Sequence, residues 1–298
     1  GDFKVMENFA AANQNVDFTA GELAWFTARF SKTVDWEVHI IGQTSGAEKI
    51  ITGKSSDVNQ SNSLWNGSTT ILPMFKAEPC VAILTIAEEQ FADTITIAVA
   101  GTKVNEGFVV ADFESGINPG WTIFKQTGAN MSFNIVASPT AAQADNYYDM
   151  GGEVDWDYLI GLMDFPSSAY QEPAFPLSNN PANVYFNVFL GIPTGITNEI
   201  VLFQFREDEN GVGIYQTNED MYPLELKNLP DGWQTVSVKY ADLVALVKGV
   251  PATPAGNGLH EPDKLLMVSV LFLADPASGY AQTFMDYLIF TENAPLEP

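Results

Sequence analysis

Cysteine is almost missing from this chain. Of 298 residues only Cys80 is one. A lone thiol permits no intrachain disulfide and no cysteine-based zinc site. It lies in the apolar stretch "CVAILTIA", which reads as core. Histidine is nearly as scarce, with His39 and His260 in separate parts of the chain. A Ser–His–Asp or Cys–His centre needs an imidazole base, and zinc catalysis usually takes two or three histidines. No G-x-S-x-G elbow, P-loop, Rossmann glycine pattern or H-E-x-x-H is present. No apolar run approaches the roughly 18 to 20 residues of a membrane helix. The longest, "LLMVSVLFLA" at 265–274, has the length of a fully buried strand.

Positive charge is the other deficit. Thirteen Lys and Arg face 37 Asp and Glu, for a net charge of -24. Residues 1–105 hold 7 basic and 12 acidic groups, whereas residues 106–298 hold 6 and 25. Phosphate recognition needs clustered cations, so the charge argues against nucleic acid as a partner, and equally against docking on anionic lipid. A neutral ligand or a cation such as calcium suits this field. Acidity also serves solubility alone.

Helical periodicity is confined to "YADLVALVKG" at 240–249. Elsewhere apolar residues alternate with period two between Gly, Pro, Asn and Asp, the pattern of an all-β chain. "AWFTARFS", "DWEVHIIG", "KIITG", "SLWNG", "CVAILTIAE" and "TITIAVAG" read as successive short strands of an Ig-like sandwich. Trp36 takes the place of a core strand-C Trp, and Trp25 is expected to pack. "AGTKVNEG" at 100–107 is small and polar, and the boundary is placed there. The remainder holds roughly ten strands, too many for an Ig unit and suited to a two-sheet jelly roll. The expectation is an Ig-like β-sandwich over 1–104 followed by a larger jelly-roll β-sandwich over 105–298.

Three stretches carry a family likeness. Trp65, Asn66 and Gly67 occupy the "WdG" turn of Ig-like modules related to the flagellar hook-capping protein, over residues 25–100. "DFESG…GW" and the closing "FMDYLIFTE" resemble the first and last strands of galactose-binding-like jelly rolls, over about 107–293. An Ig-like module followed by such a jelly roll resembles the surface glycan-binding lipoproteins of bacterial polysaccharide-utilisation systems. That resemblance implies a non-catalytic, monomeric carbohydrate-binding protein on the outer cell surface. It also implies a lipidated cysteine upstream of this chain and a spacer role for the first domain. In these jelly rolls a structural calcium often joins the first strand to the last. Glu114 and Asp286 match the acidic places, with Asp112 one pleat from Glu114.

The richest ligand-binding chemistry is "NYYDMGGEVDWDY" at 146–158. There Tyr147, Tyr148, Trp156 and Tyr158 interleave with Asn146, Asp149, Asp155 and Asp157. Flat rings suit the apolar face of a pyranose, and amides and carboxylates suit its hydroxyls. In "VYFNVF", Val184, Phe186 and Val188 are assigned inward, which puts Tyr185, Asn187 and Phe189 on the outer face. Trp121 and Trp233 read as core. "DENGVGIYQTNE" at 208–219 puts Asp208, Asn210, Gly213 and Glu219 at places one, three, six and twelve of an EF-hand loop, with Val212 where an oxygen ligand belongs; Asp208, Asn210, Glu219 and the adjacent Asp220 could supply side-chain oxygens to calcium. A hairpin with an acidic tip explains the same residues without metal, because Asn-Gly favours a tight turn. Two further function classes stay open: a surface adhesion module that binds protein, and a glycoside-active enzyme using two of the many carboxylates.

Overall fold

The computed structural model describes residues 1–127, 131–137, 141–153, 159–274 and 279–298. The chain forms two compact units. One comprises residues 1–105, 142–144 and 297–298; the other comprises 106–141 and 145–296. The fold is all-β. Among the described residues no helix is long and apolar enough to cross a membrane.

The first unit is one six-stranded sheet. Its strands are β1 (Val5–Ala11), β2 (Asn15–Asp17), β3 (Phe26–Gly42), β4 (Glu48–Val58), β5 (Glu78–Ile86) and β6 (Phe91–Gly101). Their order is β1-β3-β5-β6-β2, with β4 also on β3. "AWFTARFS" and "DWEVHIIG", expected as two strands, are one long strand. Its first part pairs with β1 and its last part with β5. "SLWNG" is not a strand, and Trp65 makes only an isolated bridge to Ala24. Trp36 and Trp65 are buried in this core. Trp65 lies edge-on between Phe18 and Phe75, and its Nε1–H donates to the Ser68 carbonyl at 2.8 Å. Cys80 is buried as well. Burial pushes its thiol up to about 12, so it is a packing residue.

The second unit is a two-sheet β-sandwich of jelly-roll type. It runs β7 (Phe108–Ala111), β8 (Thr122–Lys125), β9 (Ser132–Val136), β10 (Tyr147–Gly152), β11 (Leu159–Pro166), β12 (Val184–Ile192) and β13 (Glu199–Glu207). It continues β14 (Met221–Lys227), β15 (Gly232–Lys239), β16 (Leu246–Val247), β17 (Val250–Pro251), β18 (Leu265–Ala274) and β19 (Ala281–Glu292). One sheet has the order β15-β12-β19-β10-β9 with β7 on β19; the other is β14-β13-β18-β11-β8. Period-two alternation drives both. Val201, Phe203 and Phe205 of β13 face inward against Phe186 of β12 and Phe290 of β19, with ring centroids 5.0 to 6.3 Å apart. Each wholly buried Phe contributes about 3–5 kcal/mol relative to Ala.

The helix expected at 240–249 does not form. Tyr240–Asp242 is a single 3-10 turn, after which Leu243 is extended. β16 and β17 then pair around Lys248 and Gly249, both at positive φ, as a tight hairpin requires. "LLMVSVLFLA" is β18, a central strand, yet it is not buried on both faces. Leu266, Leu271 and Leu273 are half-exposed on the outer side.

Candidate functional site

β13, β18 and β11 are neighbours, and their register brings three distant residues into one row. Gln204 pairs with Ser269, and Ser269 pairs with Asp164. Arg206, two residues along β13, opens on the same outer face. Its guanidinium Nη1 donates to Ser269 Oγ at 2.5 Å and its Nη2 to Gln204 Oε1 at 2.7 Å. Ser269 Oγ donates to Asp164 Oδ1 at 2.5 Å, and Arg206 lies 3.9 Å from the same carboxylate. The guanidinium also sits 5.7 Å from the ring centroid of Tyr215, a residue of the loop after β13. Arg206 and Asp164 are each 24% exposed, so the network is held in place and still reachable. A cavity of about 670 Å³ opens beside it, lined by Asp164, Arg206, Tyr215, Ile214 and Met267 among others. Next to this polar row, Leu162, Leu271 and Leu202 form a half-exposed apolar row across the same three strands.

Chemically, the patch offers a planar donor, a carboxylate and an amide in fixed positions, with a ring at one side; the Ser269 hydroxyl is wholly buried and serves to hold Arg206 and Asp164 together. Sugar hydroxyls donate and accept at once, so they can engage such a mixed set. The apolar row suits the non-polar face of a pyranose.

Among the described residues, those singled out in the sequence are not assembled into an open site. Tyr147, Tyr148 and Asp149 lie on β10, Tyr185 and Asn187 on β12, and β19 runs between those strands. Tyr148 is a core residue, stacked on Phe113 and edge-on to Phe133, because alternation points it inward. Tyr147 is on the opposite face but also wholly buried, against Trp233 and Phe284. Trp233 is half-buried there, and Trp121 packs against the core through Phe165. Asp149 is half-buried and accepts a bond from Gln282 at 2.8 Å, and burial raises its pKa. Tyr185 is half-exposed, with the Lys239 ammonium 5.7 Å from its ring centroid.

Asn187 is outward on β12, as expected, but fully buried and committed. Its amide donates to the Ile289 carbonyl and Thr291 Oγ1, and its carbonyl accepts from Ser237 Oγ and Leu296 N–H. The chain end folds over it and leaves no capacity for a ligand. Trp156 and Tyr158, with Asp155 and Asp157, lie outside the described residues.

The expected metal ligands fare differently at the two places. Glu114 Oε1 accepts the backbone N–H groups of Asp145 and Asn146, and Asp286 is wholly buried in β19. Among the described residues these two acids belong to no convergent group of three acidic side chains. The Asp208 and Glu219 carboxylates accept backbone N–H groups of their own loop. Asp208 takes Val212 and Gly213, and Glu219 takes Asn210 and Gln216. Asn210 Oδ1 likewise accepts from Val212. That loop spans 208–220, because these side chains hold it open, and so no tight Asn-Gly hairpin forms. The acids that do converge are the neighbours, Glu207, Glu209 and Asp220.

No protein-family model and no curated protein matches the chain. Solved structures with some similarity include the family 11 carbohydrate-binding module from Clostridium thermocellum in complex with a beta-1,3-1,4-mixed-linked tetrasaccharide. It is 17% identical over 61% of this chain and 94% of that one, with a TM-score of 0.40. The CBM22-1 xylan-binding domain from Paenibacillus barcinonensis Xyn10C is 13% identical over 63% of this chain and 97% of that one, at 0.33. The K1 cleaved adhesin domain of Lys-gingipain from Porphyromonas gingivalis W83 is 10% identical over 64% and 100%, at 0.36. At these identities and scores no residue role is carried over from any of them.

Proposed function

We propose that this is a non-catalytic carbohydrate-binding protein whose second unit takes a neutral glycan on the outer face of the β14-β13-β18-β11-β8 sheet. The observation that carries the reading is the Asp164–Ser269–Arg206–Gln204 network, reachable from solvent beside Tyr215 and flanked by an apolar row. The acidic surface of this part favours a neutral sugar over an anionic one. Glu207, whose carboxyl burial pushes up to about 7, is wholly buried and bonded to Tyr240, so it cannot reach a glycosidic oxygen. That supports binding without hydrolysis. Exposure at the outer cell surface, with the first unit as spacer, is the setting we propose for it.

Affinity gel retardation across a panel of neutral polysaccharides tests the reading, with R206A and Y215A run beside the wild type. Retardation by at least one glycan that both variants weaken supports it. Retardation that both leave unchanged moves the site elsewhere. A folded protein retarded by none is an adhesion module for a protein partner.

A further inference from the structure

β13 ends on its core-facing side with Glu207, and Asp220 immediately precedes β14. Glu207 N–H donates to the Asp220 carbonyl at 3.1 Å, which ties the two ends of the 208–220 loop together. One carboxylate oxygen from each of Glu207, Glu209 and Asp220 lies within 4.8 Å of the others. Glu207 and Asp220 are wholly buried. Glu207 Oε1 accepts from Tyr240 Oη at 2.7 Å and from Glu261 N–H at 2.8 Å. Its other oxygen, Oε2, is buried in the same convergent carboxyl group and meets no donor.

A second strand of structure sets the group up. Gly256 and Gly258 N–H donate to the two Asp220 oxygens, and Asn257 N–H donates to Glu209 Oε1. Three consecutive amides thereby hold two like charges face to face. A Cβ at Gly256 would come 2.0 Å from Glu209 Oε2, so a side chain there displaces the Glu209 carboxylate. Among the described residues no Lys or Arg forms an ion pair with any of the three acids; the nearby Lys264 is paired with Glu261 at 2.7 Å. Three carboxylates and a donorless buried oxygen lack one component, a positive charge.

We propose that Glu207, Glu209 and Asp220 form a binding site for a hard divalent cation, calcium, at the base of the 208–220 loop. Every available ligand atom is oxygen, and no imidazole or thiolate is among them, which selects calcium over zinc or copper. Water completes the shell. The site is independent of the glycan reading, although the loop it anchors carries Tyr215. It excludes Asp208, Asn210 and Glu219 of the EF-hand-like pattern, none of which belongs to the convergent group.

The full chain, stripped with chelator, is titrated with calcium by calorimetry, and separately with terbium by luminescence sensitised through Tyr222, whose hydroxyl is 3.5 Å from Asp220 Oδ2. We expect calcium to bind, to raise the melting temperature and to quench terbium emission by displacement. E209Q, at a half-exposed side chain, is expected to weaken calcium at least about tenfold. G256A, which displaces Glu209 without removing an acid, is expected to do the same. No calcium heat and no terbium signal would overturn the proposal. So would calcium binding that E209Q leaves unchanged.

Discussion

Asn187 separates the two accounts of this molecule's open surface, and truncating it has a calculable cost. N187A removes five hydrogen bonds: three donated by the amide, the one to the Tyr185 carbonyl being long at 3.4 Å, and two accepted by its carbonyl. Ser237 Oγ is near solvent and can turn to water. Thr291 Oγ1 keeps its own bond to the Ala294 carbonyl at 2.7 Å. The Ile289 carbonyl and the Leu296 N–H are backbone groups inside the fold and have nowhere to turn. Each orphaned group costs about 1–1.5 kcal/mol, and the vacated amide volume adds under about 1 kcal/mol, so the total is about 3 kcal/mol. Urea unfolding at constant temperature measures it, read on the transition of the second unit. Glycan retardation of the folded N187A should equal wild type, because the buried amide touches no ligand. A loss of glycan binding with less than about 1 kcal/mol of destabilisation would refute the reasoning and return Asn187 to the binding face.

Two other outcomes follow from buried ionisable groups. Glu199 is buried with Oε2 unpaired, and burial raises its pKa. The folded state therefore holds its proton to higher pH than the unfolded chain, whose Glu titrates near 4.3. Its contribution is full below that value and is lost as pH rises through the raised one. The stability of wild type minus that of E199Q should fall as pH rises above the unfolded value in urea titrations, and a rise would contradict this. Cys80, buried and with its thiol pushed up to about 12, should not react with a disulfide reagent at pH 8 until the first unit unfolds; modification at the rate of a free thiol would show that it is accessible.

The all-β class was legible because alternation is a local signal. Val201, Phe203 and Phe205 face the core, as do Val184, Phe186 and Val188. Alternation tells which side a residue faces and not what later covers that side. Asn187 looked open because the chain end that closes over it, at Leu296, is over a hundred residues away. Tyr148 was misread because its neighbours are polar, although the pleat sends it inward. In the acidic loop a template of ligand positions pointed to Asp208 and Glu219. The strand pleat instead sends Glu207 inward, and a shift of one residue changes the face. Strand order β13-β18-β11 assembles Arg206, Ser269 and Asp164, and no single sequence displays that order. One signal was available: Arg206 is an outward residue in a strand of apolar alternation, within a part that has only 6 basic residues.

The central claim is that the Arg206 network takes the sugar. Its most direct test is calorimetric titration of wild type, R206M and S269A with the glycan that retards the protein most. R206M keeps the aliphatic stem and removes the charged donors. The account predicts an affinity loss of about tenfold to a hundredfold for R206M, a smaller loss for S269A, and unchanged folding of both by circular dichroism. Wild-type affinity in R206M would contradict it.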